Sequence, residues 1–330
     1  MDLFPDIKDT EKALKYLSSA YGISSDEKAF SDIIKPLLDK ICDETRLDEN
    51  GNLLGFIKGK SDKTLMIDAH MDRIGLMVKD VTEDGKIFFT NVGGVDERIL
   101  PYAEVIVCGK EEVTGFIQPE GDTYKIDDLY IRTERKDIKN LVSTGDKVIL
   151  SSEYVKLCGN IVSGAAFDNR AGVLSVLKAI SLLENNEHNI VILFSVQEEL
   201  GLHGAYKDDI KPDACIVVDV THGETKDTKG QTGVFPLGSG AVICRGPSLD
   251  FNLSSQLIAL CIDNNIPYDI ETASGSSGTT AWAFQTKDIP SALISIPLKY
   301  MHTNLETLDI SDVDAVSHIL KIIAEGGLKL

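Results

Sequence analysis

A stretch without helical signal splits this chain in two. Between about residues 73 and 162, short β-like runs follow one another at 74–78, 87–90, 104–108, 113–117 and 147–150. Turn signals such as Glu83-Asp84-Gly85 and Thr144-Gly145-Asp146 separate them, and no long 3.6-residue period intervenes. Such a stretch is expected to fold as a small all-β unit. On both sides of it, helix and strand signals mix. Residues 9–20 and 26–42 carry apolar side chains at helical spacing, with Pro36 expected to kink or interrupt the second helix. Runs at 52–58 and 64–70 are too short for helices and are flanked by turn residues, so they read as strands. After Gly164 come a helix at 169–184, strands at 190–196 and 214–220, helices at 251–263 and 280–286, a strand at 291–296 and a helix at 312–325. Ser311 is the expected N-cap of the last helix, and Gly326 stands just past its end.

Near-continuous apolar strands such as 190–194 and 216–218 call for burial on both faces, hence a mostly parallel sheet flanked by helices. The expected fold class is α/β. A three-layer α/β/α domain is assembled from residues 1–71 and 164–330, and a small all-β domain, 72–163, is inserted into it.

Charge narrows the function classes. The 330 residues carry 33 Lys and Arg against 52 Asp and Glu, a net charge of −19. Such a field repels phosphate backbones and anionic lipid, so neither nucleic acid nor membrane is expected as a partner. No apolar run approaches the ~18 residues of a membrane helix, and the acidic N-terminus lacks the pattern of a signal peptide. Six cysteines without CxxC spacing fit no disulfide framework, and a reducing, cytoplasmic setting is expected.

In open α/β sheets, ligands bind beyond the carboxyl ends of the strands. There this chain places His70 and Asp72, Glu198 and Glu199, Asp219, and His302, while Asp168 opens the helix that follows the β stretch. Singly, each has a plain structural role available: Asp168 as a helix cap, Glu198 and Glu199 as a solvated pair, His70 as a core histidine. Together they pose an electrostatic problem. Several carboxylates at one sheet edge repel one another unless cations neutralise them. His70, Asp168, Glu199, Asp219 and His302 form a nitrogen and oxygen ligand set without thiolate. Two divalent ions sharing Asp168 would each find about three protein ligands. Zn²⁺ leads for such sites, with Co²⁺ or Mn²⁺ also suited. Water between two such ions becomes a nucleophile near neutral pH, with Glu198 placed as general base and Asp72 placed to orient His70.

The segments HMDRIGLMV, AAFDNRAGV, QEELGLHGA, VVDVTHG and ISIPLKYMH, in this order with a β insertion after the first, resemble the tetrahedral (glutamyl) aminopeptidases. These are dinuclear metallopeptidases, some of which bear the name endoglucanase. The resemblance spans essentially the whole chain. It implies His70, Asp168, Glu199, Asp219 and His302 as metal ligands, Glu198 as catalytic base and Asp72 as orienting acid. It also implies removal of N-terminal residues from short peptides, and homo-oligomers, dimers or dodecamers, built with help from a barrel-like insertion. Two segments depart from the family pattern. Gly278-Thr279-Thr280 stands where Gly-Thr-Asp is usual, and Lys299-Tyr300-Met301-His302-Thr303-Asn304 where Arg-Tyr-(Met/Ile)-His-Ser-Pro is usual. Gly278, Thr279, Thr280, Lys299 and Tyr300 are therefore candidates for shaping the substrate pocket, with Lys299 the group an acid-selective pocket would need. The Gly/Ser-rich segment 274–280 lacks a Walker ending and reads as a loop lining that pocket. His188 and His318 read as surface positions. Other readings are a co-catalytic deacylase or carboxypeptidase, or a non-catalytic paralogue that keeps the metals. A glycosidase fits less well, since such enzymes usually work with a carboxylate pair and no metal.

Overall fold

The computed structural model of the chain describes residues 5–121, 125–206, 210–275 and 278–330. Two amphipathic helices lead, α1 (Thr10–Ser18), capped by Asp9, and α2 (Lys28–Ile41). Pro36 does not interrupt α2, which runs through it. It sits on the exposed side, where water can take the carbonyl that proline leaves unpaired. Strands β1 (Glu44–Leu47), β2 (Leu53–Ile57) and β3 (Thr64–His70) follow.

The next strands are β4 (Gly75–Val81), β5 (Ile87–Val92), β6 (Glu104–Cys108), β7 (Glu112–Pro119), β8 (Leu129–Arg132) and, after the short α3 (Ile138–Leu141), β9 (Lys147–Leu150). They close into a barrel in the order β4-β5-β8-β7-β6-β9. Alternate side chains, among them Leu76, Val78, Val105, Val107, Val113, Ile117 and Val148, fill its interior. Strands β10 (Val155–Cys158) and β11 (Ile161–Gly164) do not join it. They form a small separate sheet with a late strand of the chain.

The remainder comprises α4 (Phe167–Ser181), β12 (Asn189–Ser195), α5 (His203–Tyr206), β13 (Ala214–His222), β14 (Ala241–Arg245), α6 (Phe251–Asp263), β15 (Tyr268–Thr272), α7 (Thr280–Gln285), β16 (Ser291–Leu298), β17 (Glu306–Asp309) and α8 (Ile310–Ile322). Strand β17 is the partner of β11. The cap of α8 is Asp309, not Ser311: its carboxylate accepts both the backbone N–H and the hydroxyl of Ser311.

Eight strands form the main sheet in the order β1-β2-β12-β3-β13-β16-β14-β15. Its centre, β12-β3-β13-β16, is parallel throughout, while β2 on one side and β14 on the other pair antiparallel to it. One face packs Leu65, Ile67, Ile192, Ile216 and Ile294 against α1, α2, α4, α6 and α8. The opposite face packs Met66, Leu193, Val217 and Leu293 against the short α5 and α7. The centre is apolar on both sides, as a parallel sheet between helices requires. Among the described residues no helix is long and apolar enough to cross a membrane.

Candidate metal centre

Parallel pairing brings the carboxyl ends of β3, β12, β13 and β16 to one edge. His70, the last residue of β3, lies opposite Ser195 of β12, and Asp219 of β13 opposite Ser295 of β16. Asp219 does not end its strand, which continues to His222. Glu198 and Glu199 follow β12, and His302 stands in the turn between β16 and β17. Asp168 occupies an irregular first turn of α4, where the Asp168–Asn169 peptide is cis. The buried amide of Asn169 fixes that turn: it donates to the Val218 carbonyl at 2.8 Å and accepts from Gly172 N–H at 3.0 Å.

These six side chains line one cavity of about 490 Å³. His70 Nε2 lies 3.0 Å from Asp168 Oδ1 and 3.7 Å from Asp219 Oδ1. His302 Nε2 lies 3.5 Å from Asp168 Oδ2 and 3.3 Å from Glu199 Oε2. His70, Asp168 and Asp219 each offer one ligand atom within 4.8 Å of the others, and so do Asp168, Glu199 and His302. Two three-ligand groups thus share Asp168, through its two different oxygens.

The electrostatics match that arrangement. Burial, reinforced by neighbouring carboxylates, raises the pKa of Glu198 and Glu199 well above the usual range and raises Asp219 as well. Burial alone would lower His70, but Glu198, Asp168, Asp219 and Asp72 together push it well above its ordinary value. The cluster holds protons because it is short of positive charge, and divalent cations would supply that charge. Glu199 Oε1 is buried without a hydrogen-bond partner, as an oxygen reserved for a ligand would be.

A second layer holds the ligands in place. Asp72 Oδ1 lies 3.3 Å from His70 Nδ1, and its two oxygens accept the N–H groups of Glu198 and Glu199 at 3.0 and 3.2 Å. Ser24 donates to Asp72 at 2.6 Å. Glu27 accepts the Gln197 N–H at 3.1 Å. Glu306, buried, accepts the N–H groups of both Asp168 and His302 at 3.1 Å. Burial, with the Asp168 charge next, raises its pKa to about 8. The guanidinium of Arg170 stacks 3.2 Å from the Phe30 ring and donates to the Met71 carbonyl, fixing the backbone between His70 and Asp72. Gln197 (φ 54) and His302 (φ 63) are left-handed, a cost of about 1–3 kcal/mol each that Glu27 and Glu306 offset through those very N–H groups. The barrel contributes as well. The loop after β5 places Gly94 so close to His302 that a Cβ would lie 2.9 Å from Nδ1, and Asp96 N–H donates to the His302 carbonyl at 3.1 Å.

The pocket-shaping candidates divide. Gly278 and Thr279 line the cavity; Thr280 is buried behind it and donates to Asp68. Burial raises the Asp68 carboxyl to about 7. Lys299 and Tyr300 are not among the described wall residues. Tyr300 instead borders a separate hollow with Leu157 and Leu305. Within the 274–280 loop, Ser276 and Ser277 lie outside the described residues. His188 is not a surface residue: it is buried, with Ser61 Oγ at 2.9 Å and the Leu328 carbonyl at 3.2 Å from its ring nitrogens. Sequence reasoning missed Ser24, Glu27, Glu306 and the wall residue Glu271; for Glu306, an acid shortly after a ligand histidine was the available signal.

The comparisons with known proteins agree with one another. Residues 51–319 match the model of the M42 glutamyl aminopeptidases. A putative aminopeptidase of Acetivibrio thermocellus is 32% identical over 325 residues, covering 93% of this chain and 96% of that protein. An aminopeptidase of the archaeon Desulfurococcus kamchatkensis superposes with a TM-score of 0.91 at 27% identity, over 97% of this chain and 95% of the other. The TET1 peptidase of Pyrococcus horikoshii, described as assembling into a tetrahedron or a large octahedral shell, superposes with a TM-score of 0.85 at 26% identity, over 97% of this chain and 100% of the other.

Proposed function

The chain belongs to the M42 glutamyl aminopeptidase family, and from that premise we propose that it is a dinuclear metallo-aminopeptidase releasing N-terminal residues from short peptides. One observation carries the reading: two three-ligand groups that share Asp168, with Glu198 lining the same cavity. His70, Asp168 and Asp219 would hold one divalent ion, and Asp168, Glu199 and His302 the other. Nitrogen and oxygen donors without thiolate favour zinc, with cobalt or manganese as alternatives. Once bound, such a pair supplies an acidified water and polarisation of the scissile carbonyl.

The protein's own groups do the rest. Glu198 carries no ligand duty in this scheme, so its carboxylate is free to take a proton from the attacking water and pass it to the leaving amine. Asp72 holds the His70 ring and the Glu198-Glu199 backbone together, which fixes base and ligands relative to one another. The three ligand carboxylates and Glu198 balance two dications in formal charge.

The test is metal stripping by chelation, followed by assays on peptides with free and with N-acylated termini. Activity on free amines should vanish with the metals and return with zinc, cobalt or manganese. Turnover that survives complete stripping, or that prefers acylated termini, would overturn the reading. We further propose a homo-oligomer in a cytoplasmic, reducing setting. The free cysteines and the exposed Tyr102, Phe116, Leu157, Tyr300 and Leu305 support that view.

A further inference from the structure

We propose that Glu271 makes this pocket selective for peptides whose N-terminal residue is lysine or arginine. The inference rests on the aminopeptidase reading and names its substrate class. Besides the four carboxylates at the metal groups, the cavity wall contains one more, Glu271 of β15. Two dications balance Asp168, Glu198, Glu199 and Asp219, and Glu271 is left outside that balance, with His222 of the same wall the basic group that acts on it. Among the described wall residues there is no Lys or Arg to offset it. The Thr221 hydroxyl donates to Glu271 Oε1 at 2.9 Å and anchors the carboxylate. Among the described residues this is its one hydrogen bond, so Oε2 is left for a ligand.

Position decides between the two cations that a peptide could present, its α-amine and a basic side chain. Thr221 lies two residues beyond Asp219 on β13. Extended strand rises about 6.6 Å over that span. A carboxylate held against Thr221 therefore stands about one lysine side chain away from the metal groups, whereas the α-amine of a substrate must lie beside the bond being cut. The same cavity wall includes the apolar residues Leu202, Leu293 and Met301, surface that suits the stem of a lysine or arginine. Burial raises the Glu271 pKa, opposed by Thr221 and His222, and an arriving cation would draw it to the ionised form.

The experiment compares kcat/KM for lysyl, arginyl, norleucyl and glutamyl arylamides with the metal-loaded wild type, Glu271→Gln and Glu271→Lys, with circular dichroism confirming that each variant is folded. Norleucine matches the lysine stem without its charge. The wild type should favour lysine and arginine over norleucine. In Glu271→Gln the lysine-to-norleucine ratio should fall about tenfold, as for loss of a half-buried charge pair. Glu271→Lys should raise the glutamate-to-norleucine ratio. An unchanged lysine-to-norleucine ratio in Glu271→Gln, or equal losses on both substrates, would overturn the assignment. So would a wild type that prefers norleucine or glutamate, which still leaves the aminopeptidase reading intact. A wild type that turns over none of the four would reject that reading itself.

Discussion

Asp72 stands 3.3 Å behind the Nδ1 atom of His70. The same carboxylate receives the N–H groups of Glu198 and Glu199, so one side chain couples the end of β3 to the loop after β12. Full burial pushes its pKa up, yet the interactions with His70, Ser24 and that loop outweigh it, and the net shift is downward. An acid kept ionised at that place fixes both the ring orientation and the path of the base-bearing loop.

Replacing Asp72 with Ala should therefore loosen both at once. Loss of a carboxylate behind a ligand histidine typically costs 10–100-fold in metal affinity or activity. Isothermal titration of the metal-free variant with zinc should show the site of His70, Asp168 and Asp219 weakened within that range, with kcat/KM falling in parallel. Wild-type affinity in the variant would remove the positioning role.

Glu198 is predicted to separate chemistry from binding. Glu198→Gln keeps the shape and the backbone bonds to Asp72 while removing the group that accepts a proton. Loss of a general base typically lowers turnover by about 10²–10⁴-fold. Metal content, measured by plasma emission, should stay at two per chain. A variant that turns over at the wild-type rate would place the base elsewhere.

The central strands were legible in the sequence because their signal is local: a run of apolar residues, buried on both faces. The edge of the sheet was not. β1 is largely exposed and β15 half-exposed, so neither presents a strong apolar run. The ligand candidates were legible one segment at a time, as polar residues in or after an apolar strand and, for Asp168, at the start of a helix. Glu27 and Glu306 were not, since each acts on the N–H of a residue far away in the chain, Gln197 and Asp168 respectively. Tyr300 is a pocket candidate in the sequence because its segment, Lys299 to Asn304, departs from the family pattern. The backbone is left-handed at Tyr300 and His302, and Tyr300 instead borders the hollow shared with Leu157 and Leu305.

Glu306 yields a prediction of its own. Its carboxylate joins the turn of Asp168 to the turn of His302, two members of the same three-ligand group. Glu306→Ala frees two buried N–H groups, at about 1–3 kcal/mol each, and releases His302 from a strained conformation. The expected result is asymmetric: the His302 site loses affinity by about 10-fold or more, while the site completed by His70 and Asp219 loses less. Two-phase metal titration distinguishes this from equal weakening of both, which would contradict it.

Asp312, which is not among the described residues of the cavity wall, offers a stability test. At the start of α8 it accepts the N–H groups of Gly238 and Gly240 at 2.8 and 2.7 Å. Burial nevertheless raises its pKa to about 7, with those two bonds pulling the other way. An unfolded aspartate releases its proton near pH 4, so between about pH 4 and 7 the folded chain holds a proton that the unfolded chain has lost. The contribution is full below pH 4 and is lost as pH climbs through 7, making the folded protein less stable on the alkaline side by about 4 kcal/mol at most from this group. Asparagine cannot titrate and lacks that slope, whatever fixed cost it carries for losing one acceptor oxygen. Chemical denaturation of wild type and Asp312→Asn at pH 5 and pH 8 should show the variant gaining on the wild type at the higher pH. Parallel stability profiles across that range would mean that Asp312 is ionised in the fold at both.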